Sequence, residues 1–263
     1  MSRELIYPKL PGRDLWLCRV QGHGLANCLF VYAQAIVLAR QTGARIVTPT
    51  WLNFSLGPYL RHQSDKRHYN GLFERHEEVG GFHKVFSLLF CRKHLMVVEG
   101  FSSYFSEMLG DSEYISRYLE SHINSSVLSE VTTYDFTRCV AVHVRLGDYS
   151  ETVRIPISWY KKKIEEKSLQ GRFRFLIFSD GTTEELSELL EMENTQRVYF
   201  GNALADLFAI SKCSYLIGSD STFSGWGAYL GQVPCVFYRK HFGPVLADAS
   251  KEIVESSENL WLD

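Results

Sequence analysis

The chain has 263 residues, of which 45% are hydrophobic and 22% charged, and a formal net charge of −2. That length suits one large globular domain or two small ones, and the balanced charge argues against a nucleic-acid partner, which draws a strong basic excess. No window reaches the roughly 18 consecutive apolar residues of a membrane span. The amino terminus, MSRELIYPKLPGRDLWLC, also lacks the charged-then-apolar order of a secretory signal. A cytoplasmic location is therefore expected, with at most peripheral contact at the inner face of a membrane.

In chain order, Leu15 to Gln21 (LWLCRVQ) reads as a first strand, followed by the glycine turn GHGLAN. His23 and Asn27 lie in that turn, and Asn27 is placed to cap a helix. Apolar residues at 29, 30, 33, 36 and 37 form a helical stripe that runs to Thr42, and Gly43 stops it. Arg45 to Thr48 then reads as a second strand. Strand, turn, helix and strand make a βαβ unit, which implies a parallel sheet. The turn has two readings, a tightly packed strand–helix corner or a ligand-binding loop, and both stay open.

Within residues 50 to 100, the segment RHQSDKRHYNGLFERHEEVGGFHK is polar, histidine-rich and poorly periodic. It reads as a long loop that either carries an acceptor-binding surface or merely connects. HLMVVEGF reads as a buried strand, and residues 110 to 131 carry helical patterning. The likeliest junction in the pattern is TTYDFTR, which divides the chain into domains 1–135 and 136–263. Beyond it, Cys139–Arg145, 173–180, 197–200, 214–220 and 234–238 read as strands. They alternate with helices from about Ser158, over 182–192 with Thr182 or Thr183 as cap, over 203–213 and over 224–231. This half is predicted to be a doubly wound Rossmann-like unit.

The stretch CVAVHVRLGDY, Cys139 to Tyr149, is the focus of the pattern. With period two, Val140, Val142 and Val144 share one face while Ala141, His143 and Arg145 share the other. His143 and Arg145 then sit together at the carboxyl end of a buried strand, where α/β sheets bind ligands. Two further strand ends are polar: Asp180, and Ser219–Ser224 with Ser221, Thr222 and Phe223 opening a helix. A helix start of that kind offers amides to a phosphate, although Ser221 or Thr222 acting as an ordinary cap explains the same residues. His143 also reads as a core histidine, and Arg145 as the ion-pair partner of Asp148.

Six cysteines lack C-x-x-C spacing, and Cys139, Cys213 and Cys235 fall in or beside apolar runs, as buried free thiols do. The nine histidines form no H-E-x-x-H pattern, and no D-x-D pair is placed to hold a cation on a diphosphate. No cofactor and no metal are expected.

HVRLGDY, FSD and DLFAISKCSYLIGSDSTFSGWGAYLG, in that order, resemble the α-1,2-fucosyltransferase family and its wider superfamily. GLANCLFVYAQAIVLARQTGARIVTP resembles the family's amino-terminal G-x-G-N segment and first helix. The resemblance implies an α/β, GT-B-like fold of two Rossmann-like domains with mainly parallel sheets. The amino-terminal domain would hold the acceptor and the carboxy-terminal one the GDP-sugar. It further implies metal-independent, inverting transfer of L-fucose or a related deoxysugar from GDP-fucose or another GDP-sugar to a glycan hydroxyl. An α-1,2 linkage in surface polysaccharide synthesis, with a lipid-linked acceptor among the candidates, goes with it.

The family motif H-x-R-R-x-D falls on His143, Arg145 and Asp148, with Leu146 in place of its second arginine and Ala26 in place of a turn glycine. By the same resemblance His143, Arg145, Asp180, Ser221, Thr222 and Phe223 would bind the donor, with Asp180 at the guanine. Arg145 and Asp148 would be catalytic, and His23 and Asn27 would belong to the acceptor-side turn. Asp148 and Glu151 are the candidate bases, although bracing the Arg145 loop is the favoured role for Asp148. The basic, aromatic stretch WYKKKIEEK reads either as a solvated helix face or as a membrane contact. Competing functions are a catalytically silent nucleotide- or glycan-binding protein of the same fold and a small Rossmann oxidoreductase. The second is disfavoured because GHGLAN lacks the third glycine of a dinucleotide fingerprint.

Overall fold

The computed structural model describes residues 4–60, 66–101, 104–147 and 153–238. The chain divides into two compact units, one running to Val127 and the other starting at Leu128. The segment before Cys139, expected to divide the domains, lies within the second unit.

In chain order the first unit contains β1 (Leu5–Pro8), β2 (Arg13–Asp14), β3 (Arg19–Val20), α1 (Leu25–Thr42), β4 (Arg45–Ile46), β5 (Asn53–Phe54), α2 (Gly57–Leu60), α3 (Gly81–Phe90), β6 (Leu95–Val98) and α4 (Ser112–His122). A parallel sheet of order β4-β1-β6 forms its centre, and β2-β3-β5 make a separate small sheet. The βαβ unit exists, but its first strand is Leu5–Pro8 and not Leu15–Gln21. Trp16 takes φ 72°, so the chain turns inside the apolar run, and only Arg19–Val20 of it pairs as a strand. The cap of α1 also differs from expectation. Gly24 occupies that position and Asn27 lies inside the first turn, while Gly43 in the left-handed region ends the helix as predicted. β6 is an edge strand and only partly buried.

A buried polar knot ties this unit together. The Thr50 hydroxyl bonds Tyr7 Oη at 2.9 Å and the Trp16 carbonyl at 3.0 Å, and it accepts from Lys84 Nζ at 2.8 Å. Tyr7 donates to Asp14, and the wholly buried Arg19 donates to the carbonyls of Thr50 and Pro11 at 2.6 and 2.5 Å. These partners offset the desolvation of the charged groups only in part, since burial still lowers the Lys84 pKa to about 8. α3, not anticipated in the polar 50–100 stretch, is anchored to the knot through Lys84.

The second unit contains α5 (Ser129–Thr133), β7 (Cys139–Val144), α6 (Ile157–Ser168), β8 (Arg174–Ser179), α7 (Ser187–Leu190), β9 (Thr195–Arg197), α8 (Ala203–Lys212), β10 (Tyr215–Gly218), α9 (Thr222–Gly231) and β11 (Cys235–Phe237). All five strands pair parallel in the order β11-β10-β7-β8-β9. β7 is buried at every residue, because it is central and covered on both faces. Val140, Val142 and Val144 pack with Trp159, Tyr160 and Ile164 of α6 and with Phe175 and Ile177 of β8. Trp159 and Tyr160 are thus core residues, while Lys161 and Lys163 pair with Glu188 and Glu166. This overturns the membrane reading of WYKKKIEEK.

Two boundaries shift. The predicted 182–192 helix is regular only over Ser187–Leu190. Thr182 and Glu185 form a reciprocal capping pair ahead of it, with Thr182 N to Glu185 Oε2 at 2.8 Å and Glu185 N to Thr182 Oγ1 at 3.2 Å. β9 pairs over Thr195–Arg197, not 197–200, since Phe200 leaves the sheet and its amide donates to Asp206 Oδ1 at 2.7 Å. The six cysteines are free, and Cys139, Cys213 and Cys235 are buried.

Candidate active site

Strand order decides where polar strand ends meet. β7 is followed by β8 on one side, while β10 returns to its other side, so the order reverses between β7 and β10. In doubly wound sheets that crevice is the ligand position. His143, the penultimate residue of β7, lies opposite Gly218 of β10 and Phe178 of β8, and the Ser219 amide extends the ladder to the His143 carbonyl at 3.0 Å. The three strand ends singled out in the sequence therefore lie on adjacent strands at one edge.

His143 is buried, and its Nδ1 lies 2.6 Å from Ser224 Oγ, 3.0 Å from Ser219 Oγ and 3.5 Å from Ser221 Oγ. The three hydroxyls also bond one another at 3.0 to 3.3 Å. This cluster pins the imidazole to the amino terminus of α9, with the Phe223 ring 5.0 Å away. Nδ1 is committed to the serines, and among the described residues nothing bonds Nε2. Burial lowers the imidazole pKa to about 4, the nearby Arg145 adds to this and Asp180 opposes it, so His143 is neutral at physiological pH.

Ser221 caps α9 and accepts from the Ser224 amide at 3.2 Å. The capping reading of Ser221 holds, yet it does not exclude the anion reading. The amides of Thr222 and Phe223, the first two of the helix, have no carbonyl a turn behind them to bond.

Arg145 pairs with Asp180, Nη1 to Oδ2 at 2.6 Å, and keeps 31% of its side chain exposed. Asp148, its expected partner, lies outside the described residues, as does Glu151. Asp180 also accepts the amides of Leu146 at 2.9 Å and Gly147 at 3.1 Å. Burial alone would raise the Asp180 pKa, but the guanidinium and these amides outweigh it and hold the carboxylate below its usual range. A Cβ on Gly147 would run into this carboxylate, so the glycine serves close approach and not a left-handed turn. Arg197, on the neighbouring strand, donates to the carbonyls of Ser179 at 3.2 Å and Gly181 at 2.7 Å and so braces the Asp180 loop.

Leu146, where the resembled motif carries a second arginine, points into the core beside Val144 and Ile155. Asp206, in the first turn of α8, has a partly buried carboxyl that accepts from the Phe200 amide. Burial raises its carboxyl pKa to about 7, with the Phe200 amide partly opposing. In the sequence it looks like an ordinary acidic residue near a helix start, so no local signal marks it. His23 and Asn27 belong to the first unit, at the start of α1, with Asn27 Nδ2 3.1 Å from His23 Nδ1 and Phe101 edge-on to the imidazole at 5.4 Å. Among the described residues no three His, Cys, Asp or Glu side chains converge as metal ligands do.

These features define the class of fold, an α/β architecture of the GT-B type with mainly parallel sheets. Among solved structures the chain is similar to the fucosyltransferase NodZ from Bradyrhizobium, with a TM-score of 0.59 and 13% identity over 91% of this chain and 96% of that one. NodZ α-1,6-fucosyltransferase co-crystallised with GDP gives a TM-score of 0.57 and 14% identity over 91% and 96%. The apo form of POFUT1 gives 0.51 and 11% over 90% and 98%. No family model and no curated protein sequence matches. At these identities the likeness establishes the fold.

Proposed function

We propose that the chain is an inverting, metal-independent glycosyltransferase that moves L-fucose, or a related deoxysugar, from a GDP-sugar to a glycan hydroxyl. The observation that carries this reading is that one sheet edge holds both His143, bonded to the serines at the amino terminus of α9, and the Arg145–Asp180 pair on the adjacent strand ends. Departure of GDP builds negative charge on the β-phosphate, and fixed donors aimed at that charge lower the barrier by several kcal/mol. Arg145 supplies a permanent cation, and the Thr222 and Phe223 amides supply oriented dipoles. His143, neutral and held through Nδ1, offers Nε2–H at the same edge when the serines donate to its other nitrogen. Asp180 acts as a positioning residue, because it fixes Arg145 and the backbone after β7. Asp148 is proposed as the acceptor base or as a brace of that loop.

The NodZ structures with GDP and GDP-fucose support the donor class. An α-1,2 linkage, a role in surface polysaccharide synthesis, lipid-linked acceptors and a cytoplasmic location belong to the proposal through the sequence resemblance. The test is incubation with GDP-, UDP- and ADP-sugars, scoring release of free nucleotide with and without acceptor and EDTA. Release from GDP-fucose that survives EDTA and disappears in Arg145→Ala is the expected result. Release only from another nucleotide class, or unchanged turnover in Arg145→Ala, refutes it. A second reading, a binding protein without turnover, draws on the core placement of Leu146. GDP binding with no release across the panel would select it.

A further inference from the structure

α3 is amphipathic in the wrong sense for a helix of a soluble domain. Its inward face carries Lys84, Ser87 and Leu88, while Phe82, Phe86, Leu89 and Phe90 face outward. These four are 94%, 59%, 41% and 72% exposed. Spacings of four and eight residues line the three phenylalanines along one side of the helix. The inversion has a local cause. Lys84 is pulled inward to Thr50 and lies 5.0 Å from the Tyr7 ring, and that rotation turns the aromatic stripe out. Solvated helices in globular domains bury such a stripe.

The charge around the stripe is one-sided. Arg92 and Lys93 follow the helix directly, both exposed, and neither pairs with a carboxylate among the described residues. From Val79 to Val98 the sequence holds no aspartate or glutamate. A second copy that paired this segment with itself would bring no acidic partner to either cation. A bilayer with anionic headgroups matches both features at once, taking the rings below the phosphate plane and the cations at it.

We infer that α3 and the Arg92–Lys93 pair form a membrane-docking surface of the first unit, selective for anionic lipid. The inference stands apart from the transferase reading, since it uses none of the residues at the sheet edge of the second unit. The test is flotation of the full chain with phosphatidylcholine vesicles, with and without phosphatidylglycerol. The wild-type chain should float with the phosphatidylglycerol vesicles. Phe82→Ser/Phe86→Ser/Phe90→Ser should lower binding at least about tenfold on both vesicle types, with near-ultraviolet circular dichroism unchanged. Arg92→Glu/Lys93→Glu leaves the stripe intact and should abolish the preference for phosphatidylglycerol, each cation strengthening partitioning about fivefold at such a surface. A wild-type chain that stays at the bottom of the gradient overturns the inference. So does flotation of the triple variant equal to wild type. Loss of self-association in that variant by light scattering, without wild-type vesicle binding, assigns the face to a second copy instead and also overturns it.

Discussion

Replacing Asp180 by asparagine separates two roles that its position allows. The sequence resemblance puts this carboxylate at the guanine, whereas the structure puts it 2.6 Å from Arg145 and within bonding distance of two loop amides. Asparagine keeps the shape and one acceptor oxygen, so the amide bonds survive in part and the charge is lost. A hydrogen bond to a charged group is worth about 1.5–3 kcal/mol. With Arg145 31% and Asp180 17% exposed, solvent screening favours the lower end of that range. A loss of about 1.5–2 kcal/mol in holding Arg145 corresponds to a fall of roughly 10–30-fold in kcat/KM for the donor.

The discriminating assay compares GDP with IDP as competing ligands in wild type and Asp180→Asn. IDP lacks the 2-amino group that a guanine-reading carboxylate would accept from. If Asp180 acts by holding Arg145, both nucleotides should weaken by the same factor and their affinity ratio should be unchanged. A ratio that collapses toward one in the variant, with IDP binding unaltered, would refute the positioning role and restore the guanine contact.

Three further outcomes follow from the same geometry. His143, held near pKa 4 by burial against about 6.5 unfolded, refuses a proton that the unfolded chain accepts. It should therefore stabilise fully above pH 6.5 and lose about 3 kcal/mol as pH falls toward 4. Denaturation curves of wild type and His143→Gln across that range should differ by this slope. Asp206, with its carboxyl raised to about 7, has the opposite sign: it stabilises below pH 4 and loses that contribution as pH rises to 7. Asp206→Asn should raise Tm at pH 8 and leave it unchanged at pH 4. In the packing of α8 on α9, a Cβ on Gly227 would collide with Ile210, so Gly227→Ala should cost about 1–3 kcal/mol in urea denaturation.

The second unit was legible because its strands are short, apolar and punctuated, and because β7 is buried on both faces. Period two alone put His143 on the side away from Val140, Val142 and Val144, and the contact of His143 with Ser224 agrees with this. The first unit was less legible for definite reasons. β1 has four residues and ends in Pro8, a residue that ordinarily argues against a central strand, while the more apolar run at 15–17 is broken by the backbone of Trp16. α3 escaped notice because the usual criterion counts apolar residues as inward, and here the inward face holds a lysine. The Arg145–Asp180 pair could not be read at all. It depends on β8 lying beside β7, and sequence proximity pointed instead to Asp148.

The same dependence on strand order explains how a site can lack one guanidinium of the resembled motif. Side chains alternate along the extended segment after β7, so Leu146 faces Val144 and Ile155 while Arg145 reaches Asp180 just after β8. A charge at position 146 would have to leave that core to reach the edge where Arg145 stands, and the core closes over it, since a Cβ on Gly181 would already press on the Leu146 side chain. On the proposed donor reading, a diphosphate at this edge would meet, among the described residues, the Arg145 cation kept in place by Asp180 and dipoles that carry no formal charge. A single guanidinium whose geometry is fixed from two neighbouring strands loses less ordering entropy on binding than two mobile ones. On that reading, the support of Arg145 by Asp180, and of the Asp180 loop by Arg197, should govern donor affinity as much as the cation itself.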